Sequence, residues 1–323
     1  MNSPSARTAP SRPRYCSQPA QRPRDFAPEV TAGRASAIIT FSKKFVAGTE
    51  LRYYCYERGD GSAEAWHGKG SDIAAVVDAF KEWEALGIGI AFSRVARAED
   101  AMVRIGFDPD DGSWSYVGRD ALGLRDPGER TMNFGWPLTT PYGHDTALHE
   151  IGHAVGLEHE HQNPFAGIVW DETAVREYFR GAPNHWGDDE IDRNILRKVA
   201  RSSVKGTTWD PDSVMEYEFE PGLIKEPAAY FQTGLKPRGG LSEFDKSWIR
   251  EAYPRPPAQV PQLEVSVSQK LGLGKGETKL FEFRPQRTRT YQIGTFGVSD
   301  TVLVLFEVMP GGNVQIGGDD DGG

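Results

Sequence analysis

Cysteine is scarce: Cys16 and Cys55 are the two in 323 residues. That count excludes a disulfide-stapled scaffold and a structural zinc site built on four cysteines. It leaves the redox compartment open. Long apolar runs are missing too, since no stretch reaches the roughly 18 consecutive apolar residues that a membrane-spanning helix needs. Positive charge is in short supply: 37 Lys and Arg stand against 46 Asp and Glu, a net charge of −9 with a pI near 5.4. Such a chain is a poor candidate for a general nucleic-acid binder or for a polybasic membrane-surface protein. Met1–Pro10 carries no apolar core, so no standard secretory signal is visible there. No internal repeat of about 20–50 residues is found. What is present is 38% hydrophobic and 26% charged. That composition can bury a core, and the length allows about two domains at roughly 150 residues each.

Residues 1–35 are rich in Pro, Arg, Ser and Ala and read as a disordered, locally basic arm. A globular pattern fills 36–255. Leu51–Tyr56 is aromatic and strand-like. From Ser71, apolar residues at Ile73, Val76, Val77, Phe80 and Trp83 keep helical spacing, with Gly87 as the stop. Ile88–Phe92, Met102–Phe107, Trp114–Val117 and Thr131–Phe134 read as short strands. Asp171–Phe179 and Asp188–Val199 open on acidic residues that suit helix N-termini. Leu241–Tyr253 has Ser242 ahead of an apolar-periodic run, which Pro254, Pro256 and Pro257 end. Residues 256–262 then read as a linker. Over 263–323 the pattern alternates (LEVSV, KLFEF, TYQIGTF, TVLVLFEV), which predicts a small all-β, sandwich-like module. The expected class is an α+β domain followed by that module.

Residues 144–164 read HDTALHEIGHAVGLEHEHQNP and contain His149-Glu150-x-x-His153-x-x-Gly156-x-x-His159. His149 and His153 are four apart, so both imidazoles leave one face of a helix. Glu150 sits about 100° round from His149, within reach of a metal-bound water. Gly156 can take positive φ, end the helix and turn the chain so that His159 approaches as a third ligand. Three neutral histidines leave zinc an open position, the arrangement of a catalytic site. The implied reaction is peptide-bond hydrolysis, with Glu150 as the base that activates water. A bare HExxH occurs by chance on ordinary helices; the longer pattern fixes three His, one Glu and one Gly in order.

This long motif resembles that of the metzincin metallopeptidases, and Glu160 after the third histidine resembles the astacin branch. Two more segments carry the likeness. Ser213-Val214-Met215-Glu216-Tyr217 is similar to the astacin Met-turn, and Gly112–Arg119 (GSWSYVGR) to the segment opening the family's upper edge strand. Leu241–Tyr253 is similar to the closing helix. The resemblance covers roughly 37–255. It implies an upper β half and a lower helical half with a cleft between them. It further implies one zinc ion on His149, His153 and His159, with Glu150 as general base and Met215 as an apolar floor. Tyr217 would be a loose fifth ligand whose phenol stabilises the oxyanion, and Glu160 a polar contact below the site. Protein or peptide substrates would lie extended along Trp114–Val117 by strand addition. The chain departs from animal astacins in its lack of disulfides: Ser113 stands where they carry a cysteine, and Cys55 has no partner within the domain. The family is largely extracellular.

Weaker signals accompany these. His144 and His161 read as surface or hydrogen-bonding histidines rather than ligands. Cys16, within PRYCSQP, faintly resembles the cysteine switch of matrix metalloproteinases, with Tyr15 intervening and a glycine missing; the plainer reading is a free thiol in the arm. The C-terminal module resembles the pre-peptidase β-sandwich of secreted bacterial peptidases, in a copy that looks truncated. Its Asp319-Asp320-Asp321 cluster offers the oxygens calcium takes, against the plainer reading of a solvated tail. Two other functions compete with a zinc endopeptidase. One is a zinc-binding, non-proteolytic interaction module. The other is a serralysin-like peptidase, which lacks support because Glu160 replaces a proline and no Gly/Asp-rich repeat follows.

Overall fold

The computed structural model describes residues 14–20, 43–45, 47–124, 126–199, 201, 208–255, 259–274, 277, 279–297, 301, 303–309 and 312–319. Five strands make one sheet: β1 (Glu50–Cys55), β2 (Ala91–Arg94), β3 (Val103–Gly106), β4 (Trp114–Ser115) and β5 (Met132–Asn133), in the order β2-β1-β3-β5-β4. All neighbours are parallel except β4, which runs antiparallel to β5 and forms an edge. Two helices cover the sheet. One is α1 (Gly70–Ala85), which buries Ile73, Val76, Phe80 and Trp83 of the periodic positions and leaves Val77 half-buried; Gly87 follows it at φ +70°. The other is α2 (Pro141–Ala154), which carries the histidine motif. The buried Trp83 indole donates to the Leu148 carbonyl at 3.1 Å and fixes α1 against α2.

Beyond α2, short helices alternate with loops: α3 (Glu172–Arg180), α4 (Asp188–Ile191), α5 (Ala229–Thr233) and α6 (Glu243–Ala252), with a strand pair β6 (Val169–Trp170) and β7 (Ile224–Glu226). Asp171 caps α3 by accepting from Ala174 N. The helix expected over Asp188–Val199 is shorter. After Ile191 it widens into a π turn, Asp192–Leu196, and then extends. The strands expected at Ile88–Phe92, Trp114–Val117 and Thr131–Phe134 are displaced or shortened to β2, β4 and β5. Hydrogen-bonded ladders end where the flanking backbone turns to the loops and to α2.

Two apolar cores result. The first joins the sheet to α1, α2 and α6. The second gathers Ile168, Trp170, Val175, Phe179, Trp186, Phe219 and Ile224 from the helical half, and Tyr15 and Cys16 are buried in it. Composition assigns residues 14–20 to a disordered arm; they are ordered and largely buried. Tyr15 has an aromatic cage to fill and Cys16 a buried polar site to meet. The rest of 1–35 lies outside the described residues.

In 259–319 the described pairings are β8 (Gln262–Leu263) with β9 (Glu282–Phe283), and the hairpin β10 (Leu303–Met309) with β11 (Gly312–Asp319). The alternation at LEVSV does not make a long strand there: Val265 and Val267 are exposed, with no core to bury them. Asp320 and Asp321 lie outside the described residues.

One carboxylate ties the start of helix α6 to the Met215 segment. Ser242 and Asp245 form a reciprocal capping box. Asp245 also accepts from Ser213 Oγ at 2.6 Å and Val214 N at 2.8 Å. Asp245→Ala is expected to cost about 2–4 kcal/mol of stability, because it removes the carboxylate half of the capping box and orphans buried donors at Ser213 and Val214. Urea denaturation read by far-UV circular dichroism measures it, and a loss under about 1 kcal/mol would contradict the account.

Candidate active site

Helix α2 starts on a strong signal. Thr140 accepts from Gly143 N at 3.0 Å, with Pro141 in the first turn. It stops at a Schellman turn: Gly156 N donates to the His153 carbonyl at 2.8 Å and Leu157 N to the Gly152 carbonyl at 3.0 Å. Gly156 holds φ +97°, a conformation that needs glycine. The turn brings His159 back toward the helix, as the spacing predicts.

Each helical imidazole is pinned by a backbone carbonyl. His149 Nδ1 donates to the Val214 carbonyl at 2.7 Å, and His153 Nδ1 donates to the Leu157 carbonyl at 2.8 Å. Those bonds put the proton on Nδ1 and leave each Nε2 with a free lone pair. His153 Nε2 and His159 Nε2 face each other at 3.1 Å. Burial pushes all three imidazoles down: His153 falls to about 4, and His149 and His159 fall well below the usual value, with His153 beside them adding to the effect. They are therefore neutral near pH 7, the state in which a histidine binds a metal.

Cys16 completes the group. Its Sγ and one nitrogen from each of His149, His153 and His159 all lie within 4.8 Å of one another, and all four residues are buried. Sγ also lies 3.5 Å from Glu150 Oε2. Burial, then the neighbouring Glu150, holds the thiol well above its usual pKa, while burial raises Glu150 to about 8. Among the described residues, His149 Nε2 and Glu150 Oε1 are buried without a hydrogen-bond partner. An orphaned buried polar atom of this kind costs about 1–3 kcal/mol. Three nitrogens and one sulfur form a donor set that suits zinc, and a cation at their centre would satisfy His149 Nε2 and draw the thiol toward thiolate. The residues thus fit the metal.

The surrounding residues close the site. Tyr217 OH lies 2.6 Å from the Cys16 carbonyl and 2.8 Å from His159 Nε2. Met215 runs beneath the helix at Gly152, where any added methyl group would strike its sulfur. Glu160 N donates to the Met215 carbonyl at 3.0 Å, and Glu160 Oε1 accepts from Asn163 Nδ2 and Asp210 N, each at 3.1 Å. Those contacts are the polar tie expected below the site. His161, expected as a surface or hydrogen-bonding residue, is fully buried; its Nε2 meets the Asn194 carbonyl at 2.8 Å. His144 pairs with Glu82 at 3.0 Å, away from the triad.

Residues 14–20 cross this site beside the edge strand. Ser17 N donates to the Ser113 carbonyl at 3.0 Å, and Gln18 N to Asn194 Oδ1 at 3.0 Å. Gln18 Nε2 lies against the His153 ring at 3.2 Å, and Arg193 Nε donates to the Gln18 carbonyl at 3.2 Å. Sequence reasoning missed Tyr15, Gln18 and Asn194 as site residues. The Pro- and Arg-rich average over 1–35 hides YCSQ, and a lone Asn in a helical stretch carries no signal; the π turn aims it.

The family model of Astacin, a peptidase family, matches residues 66–178. A zinc metalloproteinase of Brugia malayi, nas-36, is 25% identical over 223 residues, which are 65% of this chain and 34% of that protein. The chain thus spans about a third of the length of this curated relative. The structure of myroilysin is similar at 29% identity with a TM-score of 0.58, over 66% of this chain and 97% of that one. Fold, motif and neighbours together define a mixed α/β, metzincin-like domain similar to the astacin type.

The turn at Gly156 is testable by itself. Gly156→Ala forces a side chain into a φ of +97° and is expected to cost about 1–3 kcal/mol. Urea denaturation reads the stability, and a competitive chelator titration should show weaker zinc retention as His153 loses its pinning carbonyl. Parent-like values in both would refute this role for the turn.

Proposed function

We propose that this chain is a zinc-dependent endopeptidase acting on extended protein or peptide chains, held closed by its own residues 14–20. One observation carries the reading: three buried imidazoles and the Cys16 thiol converge within 4.8 Å beside Glu150. On this reading His149, His153 and His159 hold the metal, and Cys16 takes the position that water and substrate need. Zinc, when bound, polarises the scissile carbonyl and acidifies water. Glu150 takes a proton from the attacking water and passes it to the leaving amine. Tyr217 donates a hydrogen bond from its phenol to the developing oxyanion. In the closed chain that hydroxyl meets the Cys16 carbonyl, the kind of oxygen a substrate would present. Met215 keeps the floor apolar. A substrate would add to the edge at β4, as Ser17 does through Ser113.

The alternative is a zinc-binding module without turnover. Glu150 and Tyr217, both buried beside the triad, weigh against it. For 263–323 the reading remains an appended β-module resembling the pre-peptidase C-terminal domain. It rests on the alternating sequence and the β10–β11 hairpin. The calcium reading of its acidic end rests on sequence alone.

The test is cleavage of denatured casein by the zinc-loaded chain and its variants. Cys16→Ala is expected to cleave at least roughly tenfold faster than the parent, since it vacates the closed state. Adding Glu150→Ala should lower that rate by about 10²–10⁴-fold, and 1,10-phenanthroline should abolish it. No cleavage by zinc-loaded Cys16→Ala would sink the reading in favour of the binding module. Cobalt substitution reports the thiol separately. The parent should show a sulfur-to-cobalt absorption band that Cys16→Ser lacks, and a parent without it would remove Cys16 from the metal.

A further inference from the structure

The cage around Tyr15 is built from residues held independently of it. Phe179 and Tyr178 come from α3, Trp186 from the loop after it, and Tyr217 and Phe219 from the strand-like segment after Met215. Ring centroids stand 4.8 Å from Tyr15 for Phe179, 5.2 Å for Tyr217 and 6.3 Å for Trp186. Phe179 and Trp186 stack on each other at 5.1 Å, so the wall is braced from behind. Edge-on and tilted approaches of this kind favour an aromatic ring over an aliphatic chain of similar size. Tyr217 is at once a wall of the cage and the residue whose hydroxyl reaches His159, so the cage opens directly beside the triad.

We propose that this aromatic cage is a substrate subsite, selecting a Tyr, Phe or Trp side chain within two residues of the cleaved bond. The inference rests on the peptidase reading above and adds its specificity. Residues 14–20 engage the cleft partly through backbone: Ser17 N on the Ser113 carbonyl, Gln18 N on Asn194, and the Gln18 carbonyl on Arg193. Any extended chain can supply those groups. The side chain at the Tyr15 position meets a shaped, desolvated cage, so that position discriminates. When residues 14–20 leave, the cage is an apolar hollow one residue from the metal position, and a substrate that fills it recovers the burial that Tyr15 gave up.

Two measurements test this. The first maps cleavage sites made by zinc-loaded Cys16→Ala in a proteome-derived peptide library, read by mass spectrometry. Aromatic residues should be enriched about tenfold or more at one fixed position within two residues of the cut. Cleavage with no aromatic preference there overturns the subsite and leaves the peptidase reading standing; no cleavage at all overturns both. The second needs no turnover. In the full chain, Cys16 is labelled with a thiol-reactive disulfide reagent. Tyr15→Phe should label at the parent rate and Tyr15→Ala at least roughly tenfold faster, since the cage loses its ring. Equal rates for Tyr15→Phe and Tyr15→Ala would refute selection by the cage.

Discussion

Two backbone carbonyls set the chemistry of this site. By accepting the Nδ1 protons of His149 and His153, the Val214 and Leu157 carbonyls decide which ring nitrogen is bare and where it points. Each carbonyl is itself placed by a device with its own sequence cause. Leu157 is placed by the glycine turn at Gly156. Val214 is placed by the Asp245 carboxylate, which holds Val214 N and Ser213 Oγ while capping α6. A helix near the end of the domain therefore orients a ring on the helix at its centre. Loss of either device frees an imidazole to rotate, and a metal site needs its ligand lone pairs aimed within narrow limits.

The same dependence explains why residues 14–20 count as part of the fold. Tyr15 and Cys16 belong to the helical core, and Gln18 is buried against His153 and Asn194. A segment of seven residues with one aromatic anchor would bind weakly as a free peptide, because ordering its backbone costs about 1–2 kcal/mol per residue. Covalent attachment removes most of the translational cost and presents the thiol at an effective concentration in the millimolar range or above. Proximity thus comes from the tether and shape from the Tyr15 cage, and on the proposed reading chemical affinity would come from the Cys16 sulfur on the metal.

The histidine cluster was legible in the sequence because its constraints are local. Histidines four apart, a glycine three beyond, and a third histidine three further are spacings that one helix and one turn impose. The capping residues Thr140, Asp171 and Ser242 and the periodic face of α1 are local in the same way. What stayed hidden depends on long-range contact. Asp245 meets Val214 across 31 residues, Gln18 meets His153 across 135, and Cys16 meets Glu150 across 134. No periodicity encodes such pairs. Composition actively misled at residues 14–20, because prolines and arginines on either side outweigh four residues whose burial depends on a cage assembled from positions 178–219.

On the proposed reading, Cys16 and Glu150 would let one geometry serve both closure and turnover. A thiol 3.5 Å from the carboxylate occupies the space where an attacking water must stand. Tyr217 is engaged by the Cys16 carbonyl at the same time. The three groups the reaction would need, namely the open metal position, the base and the oxyanion donor, are all taken by a single residue. On the proposed reading, removing the segment would free all three together, since α2, the Gly156 turn and the Met215 floor are held by contacts of their own. A latch that blocked the cleft mouth alone would leave the base and the phenol free to act on small peptides. One that touches every working group would block them together.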